Sequence, residues 1–135
     1  MEKKLITNLH EIIWNQGTLA AVDTIVSEAY TIFKDAGDAW EGLTLDRDTY
    51  RKRVLYSRNA FPDLIFKIET MVHEKDLVAV IWKAKGTHLG NLTGLPATGK
   101  KLSFEGQTVY KIVDGLVAGH WQTVDRLGFI QQLRG

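Results

Sequence analysis

The chain has 135 residues, 44% of them hydrophobic, and a formal net charge of +1. This length fits a single domain, residues 1–135, able to bury a core without staples, and the dispersed lysines and arginines form no basic stripe for a nucleic-acid backbone. Cysteine is absent, which excludes disulfides, thiolate metal sites and a cysteine nucleophile.

The opening MEKKLITNLHEIIW lacks the continuous apolar run of a signal peptide, and no segment approaches eighteen apolar residues. A cytoplasmic protein without a membrane partner is expected. Residues 3–15 place Leu5, Leu9, Ile12 and Ile13 at helical spacing, and Asn15-Gln16-Gly17 ends that helix. Thr18 is positioned to cap a second, short helix whose buried side carries Leu19, Val22, Ile25 and Val26. A brief strand over 29–33 precedes a polar loop, and a third helix spans 45–61, capped by Asp46 or Asp48 and stopped by Phe61-Pro62.

The remainder is rich in strands. Residues 64–73 alternate through Leu64, Phe66, Ile68, Thr70 and Val72, and residues 77–88 are apolar on both parities. GNLTGLPATGK follows as a loop, then strands 101–113 and 116–124 flank Asp114-Gly115, a dipeptide suited to a two-residue type I′ turn. Helices first and strands after indicate an α+β domain built on an antiparallel sheet, with its helices on one side. An amphipathic helix closes the chain.

Counting outward from the Asp114-Gly115 turn in regular register assigns the hairpin faces. One face carries Gln107, His120 and Gln122; the other carries Phe104, Tyr110, Trp121 and Asp125. Neither face is purely apolar, so both invite a functional reading beside the structural one, in which buried Tyr, Trp and Gln simply find hydrogen-bond partners. Asp125 has two readings of its own: an acid–base carboxylate beside aromatic rings, or the N-cap of the last helix, which begins at Arg126. His88 and His120 are the histidines on strands and so the candidate proton carriers. The candidate pocket walls are Trp14, Phe33, Tyr56 and Asn59 from the first half of the chain, with Phe104, Gln107, Tyr110, Trp121 and Gln122 from the hairpin. No histidine and carboxylate spacing matches a metal site, and no glycine-rich loop leads into a helix, so neither metal nor nucleotide cofactor is expected.

Together with Asp125, Trp14-Asn15-Gln16-Gly17, Phe61-Pro62-Asp63-Leu64, Gly86-Thr87-His88, Gly94-Leu95-Pro96-Ala97-Thr98-Gly99, Gly119-His120-Trp121 and Gln132-Leu133 resemble SnoaL-like polyketide (ester) cyclases in sequence order. The resemblance implies a nuclear transport factor 2-like fold: a curved antiparallel sheet wrapped into a cone, with N-terminal helices closing a hydrophobic pocket, usually in a dimer. It further implies cofactor-free ring closure by an intramolecular aldol reaction on an apolar or aromatic small molecule. By motif position Asp125 would be the acid–base group, assisted by His120 or His88. Ala97 and Lys34 depart from the family pattern, Lys34 where relatives often place a histidine. Two other functions fit the same scaffold: a binding or dimerising module without catalysis, and an epoxide hydrolase like limonene epoxide hydrolase, which would need a second carboxylate and an arginine beside the attacking water. An exposed sheet face with apolar and amide residues calls for cover, and a homodimer is the simplest cover.

Overall fold

The computed structural model describes residues 1–134. A helix α1 (Glu2–Asn8) runs on into a wider helical segment, Leu9–Asn15, in which Gln16 N donates to Glu11 O five residues back. Of the predicted stripe, Leu9 and Ile13 are fully covered and Leu5 and Ile12 partly, and Ile6 joins them in the core. A short turn of helix over Leu19–Ala21 leads into α2 (Val22–Ile25), and Thr18 makes no side-chain capping bond there. The second helix is shorter than expected because Val26 already belongs to a strand.

Six strands follow: β1 (Val26–Asp35), β2 (Thr44–Leu45), β3 (Ile65–Glu74), β4 (Leu77–Thr87), β5 (Lys101–Val113) and β6 (Leu116–Val124). Between β2 and β3 lies α3 (Arg47–Ala60), whose N-terminus Asp46 caps by accepting from Thr49 N at 2.7 Å. The strands form one sheet in the order β2-β1-β6-β5-β4-β3. Every neighbouring pair is antiparallel except β1 and β6, which run parallel. The expected antiparallel sheet is therefore mixed: the first strand joins the last one in its own direction, a pairing that only long-range packing can select. The final helix α4 (Arg126–Arg134) packs back against β5.

The hairpin turn is as predicted, with Asp114 and Gly115 at φ 51° and 76°. Its register is not. Ile112 faces Val117, but Lys111 faces Gly119, so Ala118 is an extra residue in β6. A strand alternates with period two, and one inserted residue turns everything beyond it to the opposite face. His120 and Gln122 consequently share the inner, helix-covered face with Tyr110 and Thr108, while Trp121, Gln107 and Phe33 look outward. The two faces assigned by regular counting are exchanged beyond Ala118.

Two further irregularities act the same way. In β3 the register breaks between Ile68 and Thr70, so Met71 packs on the core and Val72 is exposed. In β1 it breaks between Ile32 and Lys34: Tyr30 and Ile32 point inward, Phe33 and Lys34 point outward, and Asp35 turns inward again. Without that break Lys34 would take the buried position.

His10 lies in the buried stripe of the first helix, 3% exposed, with Nε2 2.8 Å from the Tyr110 hydroxyl. Burial pushes its pKa down to about 4, so the folded protein holds it neutral, whereas the unfolded chain protonates it near 6.5. Below pH 6.5 the unfolded state binds a proton that the folded state refuses, so stability falls as pH drops from 6.5 toward 4. Urea unfolding of the wild type across this range should lose about 3 kcal/mol more than His10→Phe does. Identical pH profiles for the two proteins would contradict this.

Candidate functional site

The inner face of the sheet, α3, α4 and the first helix enclose a cavity of about 720 Å³. Its walls are largely aromatic, among them Trp14, Tyr50, Tyr56, Phe66, Trp82 and Phe104. Edge-on contacts lock these rings: Phe66 meets Trp82 with centroids 5.1 Å apart, and Tyr30 meets Tyr50 at 4.8 Å. Rings held this way give a rigid apolar chamber in which a few polar groups set orientation.

Polar groups converge at one end, around the carboxylate of Asp35. Asp35 is fully buried. Its Oδ2 accepts from His120 Nε2 at 2.9 Å, Gln122 Nε2 at 3.0 Å and Arg53 Nη2 at 3.4 Å; its Oδ1 accepts from Arg126 Nη2 at 3.3 Å. Arg53 also donates to Asp38 Oδ2 at 3.2 Å. Two carboxylates and two guanidiniums thus balance, the condition under which buried charges are tolerated. The β1 break aims Asp35 inward, and Ala118 does the same for His120 and Gln122.

His120 is 2% exposed and has both ring nitrogens engaged, since Nδ1 lies 2.6 Å from the Tyr30 hydroxyl. A carboxylate can only accept, so Nε2 carries the hydrogen and Nδ1 accepts from Tyr30. Burial lowers the His120 pKa, with Asp35 opposing and Arg53 adding to the fall, so the ring is neutral at pH 7. Burial raises the Tyr30 pKa well above that of a free phenol. The side chain of Gln122 is fixed from behind: Trp82 Nε1 donates to Thr108 Oγ1 at 2.8 Å, and Thr108 Oγ1 donates to Gln122 Oε1 at 2.6 Å. Its amide therefore has to turn its hydrogens to Asp35.

Of the residues expected at the site, Trp14, Tyr56, Phe104, Tyr110, His120 and Gln122 line this cavity. Phe33 and Trp121 stack on each other at 4.3 Å on the outer face, 40% and 38% exposed, and Gln107 is exposed beside them. Asn59 is on the exposed side of α3. His88 is buried behind Phe61, whose ring it stacks on, with Nδ1 3.0 Å from Thr98 Oγ1. Asp125 is exposed and caps α4, accepting from Gly128 N at 2.9 Å. It borders a second depression of about 900 Å³, which shares His10, Phe66 and Phe104 with the cavity and also carries Lys67, Lys83, Lys85 and Glu105.

Asp35, Arg53, Tyr30, His10 and Arg126 escape sequence reasoning. Only Asp35 offered a signal, a carboxylate at the end of a strand that begins apolar. His10 and Arg53 sit on helices and Arg126 opens α4, with no local pattern to mark them, while Tyr30 lies inside β1, where it reads as a core aromatic. Among the described residues no group of three or more His, Asp or Glu side chains could hold a metal ion, and no helix is long and apolar enough to cross a membrane.

Comparison with known proteins agrees with this architecture. A candidate polyketide cyclase of Acidithiobacillus ferrooxidans is 39% identical with a TM-score of 0.91, covering 98% of this chain and 93% of its own. IdmH, a candidate polyketide cyclase of Streptomyces antibioticus, is 26% identical with a TM-score of 0.80 over 98% of both chains. The aklanonic acid methyl ester cyclase DnrD of Streptomyces peucetius is 46% identical over 48 residues, which cover 36% of this chain and 33% of DnrD. The match thus spans about a third of that curated relative's length. Residues 4–133 match the family model of SnoaL-like polyketide cyclases, so the chain belongs to the SnoaL-like polyketide cyclase family.

Proposed function

We propose that the chain is a cofactor-independent acid–base enzyme that removes a proton next to a carbonyl of an apolar, enolisable small molecule, the first step of an aldol-type ring closure or of a related isomerisation. The observation that carries this reading is the Tyr30–His120–Asp35 chain at the polar end of an aromatic cavity. The substrate C–H gives its proton to the Tyr30 oxygen while the Tyr30 proton moves to His120 Nδ1. The bonding pair left on carbon becomes the enolate, and the imidazolium that forms is stabilised by Asp35. A neutral imidazole and an un-ionised phenol are the states this relay requires at pH 7. The aromatic walls exclude water and hold a flat substrate against it.

In this reading Asp125 serves as the cap of α4 and His88 as a packing residue, and His120 carries the proton chemistry. One observation favours a second reading, hydrolysis of an epoxide. Arg53 bridges Asp35 and Asp38 at 3.4 Å and 3.2 Å, supplying the paired carboxylates and arginine such a reaction needs. We also propose a homodimer that covers the outer sheet face, where Phe33, Trp121, Ile81 and Val72 are exposed.

The bicyclic ketone α-tetralone tests the main reading directly. In D2O the wild type should accelerate exchange of its α-hydrogens, followed by NMR, and His120→Gln should lower that rate about a hundredfold. The wild-type rate should hold at pH 6.5, where an ordinary histidine is half protonated, and fall only at lower pH, because burial lowers the His120 pKa and protonated His120 accepts nothing. No acceleration by the wild type, together with turnover of an epoxide, would transfer the assignment to hydrolysis. Asp125→Ala should leave exchange within about twofold of wild type while lowering the melting temperature through the lost cap; loss of exchange in a folded variant would restore Asp125 as the acid–base group. Sedimentation should give a species near twice the 15.2 kDa chain mass, and a monomer would rule the dimer out.

A further inference from the structure

The cavity wall beside the Tyr30–His120 pair, where Tyr50 meets Tyr30 at 4.8 Å and Tyr110 meets His120 at 6.3 Å, carries hydrogen-bond donors that the protein itself does not use. Trp14 Nε1, which can only donate, donates to the Tyr50 hydroxyl oxygen at 3.1 Å. The Tyr50 hydrogen then needs another acceptor, and none receives it among the described residues. Tyr50 is 1% exposed and faces the cavity.

His10 and Tyr110 give the same result by counting. A neutral imidazole and a phenol hold two hydrogens on nitrogen and oxygen between them, and their single 2.8 Å bond uses one. If Tyr110 donates to Nε2, the spare hydrogen is on His10 Nδ1; if Nε2 donates, it is on the Tyr110 oxygen. His10 Nδ1 has no partner, and both residues line the cavity. The first tautomer leaves a donor over at His10 Nδ1; in the second, the Tyr110 hydrogen has only Thr108 Oγ1 to turn to, which already accepts from Trp82 Nε1.

The two spare donors are linked through the first helix. His10 and Trp14 are four residues apart and both meet the same Phe66 ring edge-on, at 5.6 Å and 5.9 Å. Phe66 therefore sets the position of both polar contacts on one wall. Buried donors without acceptors are costly, and a ligand that supplies acceptors relieves that cost.

We propose that Tyr50 and the His10–Tyr110 pair form an oxygen-acceptor subsite, which holds the carbonyl oxygen of the bound ligand and strengthens its grip as that oxygen becomes an enolate. The subsite deepens the acid–base reading and rests on it for the oxygen's role: it selects ligands that present carbonyl oxygen to this wall rather than hydroxyl or ammonium hydrogens. It also gives the enolate electrons a destination. Charge grows on the oxygen at the donor wall while the proton departs toward His120.

The test compares α-tetralone with tetralin, nearly the same shape without the oxygen, by quenching of tryptophan fluorescence, since Trp14 lines the cavity. The wild type should bind the ketone at least about fivefold tighter than the hydrocarbon, and Tyr50→Phe and His10→Phe should each reduce that preference about threefold to fivefold while leaving tetralin binding unchanged. Equal binding of the two probes by the wild type, or full preference in both variants, would overturn the subsite. A measurement on the unaltered protein covers the case in which a variant does not fold: α-tetralone should shift the His10 or Tyr110 side-chain resonances more than tetralin does, and equal shifts would also overturn it. Neither readout needs turnover. Preference without hydrogen exchange would sink the acid–base reading and keep the subsite; exchange without preference would do the reverse.

Discussion

A carboxylate removed from water must find its hydrogen bonds and its countercharge inside the protein, and Asp35 is the point at which this fold meets that demand. Four donors reach it from three elements: His120 and Gln122 from β6, Arg53 from α3 and Arg126 from the start of α4. The carboxylate therefore ties the sheet, the covering helix and the closing helix to one spot. Even the loop after β1 is shaped by it. Gly37 has a φ of 88°, and a Cβ there would lie 2.7 Å from the Arg126 side chain. A residue without a side chain lets the arginine cross the backbone and reach Asp35.

Breaks in strand register determine which residues take part. A regular β1 would bury Lys34, and a regular β6 would send His120 and Gln122 to the outer face. The β1 break and Ala118 lie in neighbouring strands, and in the resulting register Asp35 comes opposite Gln122 and Ile32 opposite His120. Each depends on the other, since an inward-facing His120 reaches Asp35 only when the carboxylate is on the same side. Bulges beside active sites commonly re-aim side chains in this way.

The cavity divides its chemistry between two ends. Toward Asp35, the groups are paired, and a neutral His120 is held between the Tyr30 hydroxyl and the carboxylate. Toward the first helix, donors are left over. Burial keeps His10 and His120 neutral and the three tyrosines Tyr30, Tyr50 and Tyr110 un-ionised, so the ligand meets oriented dipoles rather than standing charge over most of the wall. Such dipoles in an apolar surround act strongly on charge that develops during a reaction.

Local patterns were enough to recognise the parts of this protein. Helical spacing marked the first helix and α3, Asp46 or Asp48 its cap, and Asp114-Gly115 the turn of the β5–β6 hairpin, because those features depend on residues a few positions apart. The motif order pointed to the family for the same reason, and the aromatic residues that wall the cavity were legible as apolar positions. What the sequence by itself determined was therefore the α+β class, the elements and the inventory of side chains. Only the tertiary structure decided the parallel β1–β6 pairing, the register breaks and the burial of Asp35 among donors distant in the chain. Those choices lie outside any local pattern, since a bulge is a single extra residue whose cost is repaid only by contacts made across the sheet. That residue moved His120 beside Tyr110 and Trp121 to the outside, and left Asp125 at the end of the hairpin as the cap of α4.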